Sequence, residues 1–236
     1  MEKIEIIKRV DKIINNVITK FKREPKIFTS EKDFQLKFAW AIKEENESDL
    51  NISLEYYPRM LEITYINNKK EKKSKKIHID ILIEYNNVLF PIELKYKTKR
   101  FISENNDYEL KAQGAQGQGR CNFLWDVSRL EKFKKSIEES DERKFGRGYA
   151  IFLTNDFSYL KENEAPTSDK DFRLYDGRII NKDTSLKWRD GTKPGNIGSC
   201  PFEIKFDNTY KLKWNPYQDD DCNGISEFTY LMIEVR

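Results

Sequence analysis

The chain carries one histidine, His78, and three cysteines, Cys121, Cys200 and Cys222, far apart in 236 residues. It has no CxxC spacing, and a single imidazole cannot complete a Cys/His set, which argues against a structural zinc site. Three distant cysteines form no disulfide framework, so the thiols read as reduced and the expected compartment is the cytoplasm. No apolar run approaches about 18 residues, so no segment is expected to span a membrane. The opening MEKIEIIKRVDK interrupts its apolar residues with charges and does not read as a signal peptide. A dominant charge is also missing. Lys and Arg number 43 against 40 Asp and Glu, a net +3, so any polyanion would have to be gripped by local patches.

What is present suits a globular chain with a heavily charged surface, 38% hydrophobic and 35% charged. The length suits one domain over 1–236, read as an N-terminal helix at 1–24, a core at 25–156 and a β-rich extension at 157–236. Ile4, Ile7, Val10, Ile14, Val17 and Phe21 recur at helical spacing, and the helix should end before Pro25. Thr29 and Ser30 should cap a second helix with Glu31 and Asp33 in its first turn and Phe34, Phe38, Ala41 and Ile42 buried. Strands are expected at 52–57 and 61–66, then a lysine-rich hairpin tip at 69–76. A glycine-rich stretch, 113–119, precedes a third helix over 122–140. The apolar run 149–154 should be a buried strand returning through that helical crossover. In the extension, Phe202, Ile204 and Phe206 should face Trp214, Leu212 and Tyr210 across a three-residue loop, with a final strand at 228–235.

The most informative segment is a pair of strands, 77–85 and 88–96, joined by Asn86 and Asn87. Asn tolerates positive φ and favours a two-residue turn, which fixes a register in which facing residues sum to 173. One face then carries Ile77, Ile79, Ile81, Ile83 and Tyr85 opposite Tyr96, Leu94, Ile92, Phe90 and Val88, and must be core. The other face sets Asp80 across from Glu93, with His78 across from Lys95. Facing carboxylates about 5 Å apart repel unless something positive sits between them. A divalent metal would serve, with Lys95 beside it. That face also bears Leu82, Leu89 and Pro91 and should be covered.

Asp80, Glu93 and Lys95, spaced D-x12-E-L-K on a hairpin between helices, resemble the signature of the PD-(D/E)xK nuclease superfamily, with Ile79 where the family name has proline. The resemblance covers roughly 29–155. It implies an α/β fold with a restriction-endonuclease-like αβββαβ core and a central mixed sheet. It further implies an Mg²⁺-dependent nuclease, with Mn²⁺ able to substitute, in which Asp80, Glu93 and the main-chain carbonyl of Leu94 bind the metal. Lys95 would orient water or stabilise the transition state. Glu31 is the candidate for a further metal-binding glutamate, Gln35 lies one turn on, and Gln113 or Gln116 stands where several members carry a glutamine. No tyrosine follows at the spacing of the RecB-like subgroup. His78 is an accessory candidate.

The implied partner is DNA, with RNA left open. Lys97, on the face of Lys95, and Lys72, Lys73, Lys75 and Lys76 are candidate phosphate contacts, as are Arg120, Arg129, Arg143 and Arg147. A clean double-strand break would need two active sites and hence a homodimer. Two other readings suit the same residues: a nucleic-acid-binding module that does not cleave, and a protein-interaction scaffold.

Overall fold

The structure, a computed structural model, describes residues 2–24, 26–45, 50–58, 62–67, 69–76, 78–102, 109–140, 142–163, 165–217 and 228–236. It is a mixed α/β fold around one mixed sheet. Helix α1 (Lys3–Arg23) opens on a capping box between Glu2 and Glu5 and buries Ile6, Val10, Ile13, Ile14, Val17, Ile18 and Phe21, while Ile4 is exposed. Helix α2 (Glu31–Glu45) is capped as its sequence requires. The Ser30 hydroxyl accepts the Asp33 N–H at 3.0 Å, and the Asp33 carboxylate accepts the Thr29 N–H at 3.0 Å.

Strand β1 (Asn51–Tyr56) forms one edge of the main sheet. Next to it lie β4 (Ile79–Tyr85), β5 (Val88–Lys97), and the strands Gly148–Thr154, Thr229–Val235 and Trp214–Pro216. Along this path all neighbours pair antiparallel except β5 and Gly148–Thr154, which are parallel and joined through helix α3 (Gln116–Ser140); the short strand Lys144–Phe145 also pairs parallel with β5, off the path. Parallel strands need such a crossover. The extension is therefore part of the sheet, since its last strand pairs with Gly148–Thr154 along its whole length. Alternation along the strands divides the core. Ile81, Ile83, Phe90, Ile92, Leu94 and Ile151 pack with α1 and α2. Leu82, Leu89, Ala150, Phe152 and Leu231 pack with α3 and the extension. Among the described residues no helix is long and apolar enough to cross a membrane.

The β4–β5 turn forms as expected, with Asn86 and Asn87 at φ +49° and +60°, and the register runs from Tyr85–Val88 to Ile81–Ile92. Three expectations are corrected. Of the lysine-rich segment only Lys69 and Lys70 lie in a hairpin tip; the rest is a strand, β3 (Lys72–Lys76), paired with β2 (Glu62–Ile66) in a separate ribbon. Asn67 makes the turn, its side-chain oxygen accepting the N–H groups of Lys69 and Glu71 at 2.9 Å. Helix α3 begins six residues earlier than its apolar periodicity indicates and absorbs Gly117 and Gly119. Gly119 is required by close approach, because a Cβ there would lie 2.6 Å from the Tyr159 hydroxyl. The expected hairpin over 202–214 does not form. Its arms diverge, Glu203–Lys205 pairing with Ser185–Lys187 and Tyr210–Lys211 with Ile179–Ile180. Glu131 of α3 causes the split by accepting the N–H groups of Asp207 and Asn208 and the Tyr210 hydroxyl, which pins the loop to the helix.

Candidate active site

Backbone pairing between β4 and β5 ends at Ile81–Ile92, one residue short of Asp80 and Glu93. The two carboxylates therefore do not sit as a paired cross-strand couple. Beyond that point a side chain closes the gap, Asp80 Oδ2 accepting the Leu94 N–H at 2.8 Å. On its other side Asp80 lies opposite Glu55 in the β1 register. Glu55 is skipped by the pairing and adopts φ +50°. The irregularity extends to Ile79, which joins the α3 core layer rather than the layer of Ile81. Ile77 lies outside the described residues.

Helix α3 lies over this opening. Arg129 brings a guanidinium nitrogen to 2.9 Å from Glu93 Oε2 and 2.7 Å from Asp126 Oδ1. Glu93 is 1% exposed, and neither of its oxygens has a hydrogen-bond partner among the described residues. The Arg129 contact is thus charge pairing without N–H alignment. Lys95 Nζ lies 3.2 Å from Glu31 Oε1 and 3.7 Å from Asp126 Oδ2. Glu31 Oε2 accepts the Tyr96 N–H at 2.9 Å, which anchors the start of α2 to β5.

The electrostatics follow from this arrangement. Four carboxylates (Glu31, Asp80, Glu93, Asp126) face two cations (Lys95, Arg129), so the cluster lacks positive charge. Burial pushes the Asp80 carboxyl up, and Asp126 adds to the shift against the opposing Leu94 N–H bond. Glu93 is raised further, by burial and then by Asp80 and Asp126, despite Arg129. Burial alone would lower Lys95, but Asp126, Glu31 and Asp80 outweigh it and the ammonium stays charged at any ordinary pH.

The accessory residues divide. Gln35 donates to the main-chain oxygen of Asp80 and to Glu55 at 2.9 Å. His78 does not face Lys95, since the strands have parted there. Its Nε2 lies 3.5 Å from Glu55 and 3.9 Å from Asp80, and its ring packs against Tyr57. Glu55, His78 and Asp80 bring their ligand atoms within 4.8 Å of one another. Glu55, however, is already matched by Lys32 and Gln35. Gln113 donates its backbone N–H to Thr98, and Gln116 donates its side chain to Asp156 at 3.3 Å. Arg120 is held by Asp169 at 2.7 Å and by the Ser158 carbonyl. Lys72, Lys73, Lys75 and Lys76 are all exposed on β3.

Sequence reasoning missed Asp126 as a site residue and took Arg129 only for a surface phosphate contact. A signal existed. Asp126 falls between Phe123 and Leu130 on the helical stripe that also buries Val127 and Phe133. A charged residue in such a stripe is a buried charge that needs a partner. No family model, curated protein or solved structure matches this chain.

Proposed function

We propose that the chain is a divalent-metal-dependent deoxyribonuclease, an endonuclease of the restriction or defence type, built on a restriction-endonuclease-like core. The order α2, β1, β4, β5, α3 and Gly148–Thr154 supports that core, with the β2–β3 ribbon inserted between β1 and β4. One observation carries the reading: the buried Glu93 carboxylate with both oxygens lacking hydrogen-bond partners, beside a second raised carboxyl and a fixed lysine.

The donor set fits Mg²⁺ or Mn²⁺. Hard carboxylate oxygens suit either ion, and a dication would balance the two surplus negative charges. Asp80 and Glu93 would hold it with the Leu94 carbonyl, and Glu31 could join only by giving up Lys95. When bound, such an ion activates water and neutralises charge on the phosphoryl oxygens. Arg129 would keep Asp126 at 2.7 Å on releasing Glu93, so no bare cation would remain. Lys95, held charged, acts as a fixed cation toward the pentacoordinate phosphate and not as a general base. Gln35 steadies the Asp80 backbone. Helix α3 covers the site on one side and limits water around it.

The test is incubation with supercoiled plasmid and single-stranded DNA in Mg²⁺, Mn²⁺ or EDTA, beside Asp80→Ala and Lys95→Ala. Cleavage that needs metal and disappears in both variants is expected. Metal-dependent cleavage surviving in both would show the site to lie elsewhere. Salt-sensitive binding with no cleavage would leave a binding module instead.

A further inference from the structure

The carboxylate end of the cluster is rich in negative charge, and the far end of β5 is the reverse. Lys97 follows Lys95 by two residues, roughly 7 Å along the same face of the strand. That is comparable with the spacing of successive phosphates on one nucleic-acid strand. Lys95 is matched by Glu31 and Asp126, whereas Lys97 makes no ion pair among the described residues. Beside it, Tyr159 is 1% exposed and its hydroxyl has no hydrogen-bond partner among the described residues. Both groups converge on Gly119 in the first turn of α3. A Cβ at that position would lie 2.6 Å from the Tyr159 hydroxyl and 3.6 Å from Lys97 Cε. Two polar groups with no hydrogen bond or ion pair among the described residues thus meet where glycine leaves room.

We infer that Lys97 and the Tyr159 hydroxyl form an anchoring site for a phosphate group of a polynucleotide, next to the phosphate that reacts. The inference rests on the nuclease reading. Lys97 is half-buried, with its stem against the point where the hydroxyl is enclosed. As the ammonium turns outward to a phosphate, the hydroxyl beneath is uncovered and donates to the same anion. The lysine gains a counter-charge and the hydroxyl an acceptor. Burial lowers the Lys97 pKa, against the opposing pull of Glu31 and with a smaller contribution from the Lys95 charge. The phosphate could be an internal diester or a chain-end monoester, and the chemistry of the two is shared.

The experiment measures binding of the full chain in EDTA to labelled oligonucleotides with a 5′-hydroxyl or a 5′-phosphate. The proteins are the unaltered chain, Lys97→Met and Tyr159→Phe, each checked by thermal melting. Lys97→Met should weaken binding and flatten the dependence of log Kobs on log salt by about 0.7–0.9. Tyr159→Phe should weaken binding about tenfold, as for a lost hydrogen bond to a charged group, with the salt slope unchanged. Neither should melt lower. Equal losses on both oligonucleotides identify an internal phosphate, and loss confined to the phosphorylated one identifies a chain end. If both variants bind within twofold of an unaltered protein that cleaves in Mg²⁺, the anchor is wrong and the nuclease reading stands. If the unaltered chain neither binds nor cleaves, both fall.

Discussion

Arg129 sets its guanidinium 2.9 Å from the Glu93 carboxylate. Removing one partner of a buried ion pair strands the other and costs about 3–5 kcal/mol. Arg129→Met should therefore melt well below the unaltered protein in EDTA. With Mn²⁺ or Mg²⁺ it should recover a larger share of its stability than the unaltered protein gains, because the ion replaces the lost charge. Thermal melts of both proteins with and without metal check this. Equal metal shifts would show that Glu93 is not a ligand.

Asp80 gives a pH signature. Its carboxyl is raised, so the folded chain keeps a proton there that the unfolded chain has lost. Folding stability from this group thus falls as pH rises, across a window opening near the ordinary carboxylate value of about 4 and closing at the raised one. Asp80→Asn keeps an acceptor for the Leu94 N–H. It should lose this decline, so its advantage over the unaltered chain grows with pH in EDTA. Mg²⁺ should remove the advantage. Melts from pH 4 to pH 8 measure it.

Asp126 and Glu31 both contact the Lys95 ammonium, at 3.7 Å and 3.2 Å. On the nuclease reading Asp126 acts through the lysine, as a positioning residue. Asp126→Asn should lower kcat about 10–100-fold, the range typical of lost outer-shell partners, with KM little changed. A rise in KM at constant kcat would assign it to binding instead.

The β3 lysines predict a different phenotype. Among the described residues Lys72, Lys75 and Lys76 make no ion pair, and all are exposed. Replacing the three by Ala should leave the melting temperature within a degree or two, as surface changes do. The salt dependence of DNA binding should fall by up to about 0.9 per lost phosphate contact on duplex. An unchanged slope would leave the ribbon as a solvated arm.

How far the sequence reveals this fold can be judged residue by residue. The Asn86–Asn87 turn was legible because two residues tolerant of positive φ separate two apolar runs, and the register from Tyr85 to Ile81 follows. The capped start of α2 was legible for the same local reason. The parting of β4 and β5 at Asp80 was not, since no period-2 pattern records where a side chain replaces a backbone bond. His78 was accordingly assigned to the wrong neighbour. Lys72–Lys76 gave no strand signal because every one of its side chains is exposed, and only pairing with β2 makes it a strand. The diverging arms of 202–214 depend on Glu131, about 75 residues earlier, and contacts at that range leave no local trace.

The pairing of Gly148–Thr154 with Thr229–Val235 also bears on synthesis. Every charged residue assigned to the active site is translated before residue 130, yet the strand flanking β5 has an open edge until residues 229–235 emerge. A growing chain would carry all the charged residues of the candidate site on an unfinished sheet, with the apolar run Tyr149–Leu153 exposed to other partners. On the nuclease reading, competence to cut would then wait until residues 229–235 pair with Gly148–Thr154.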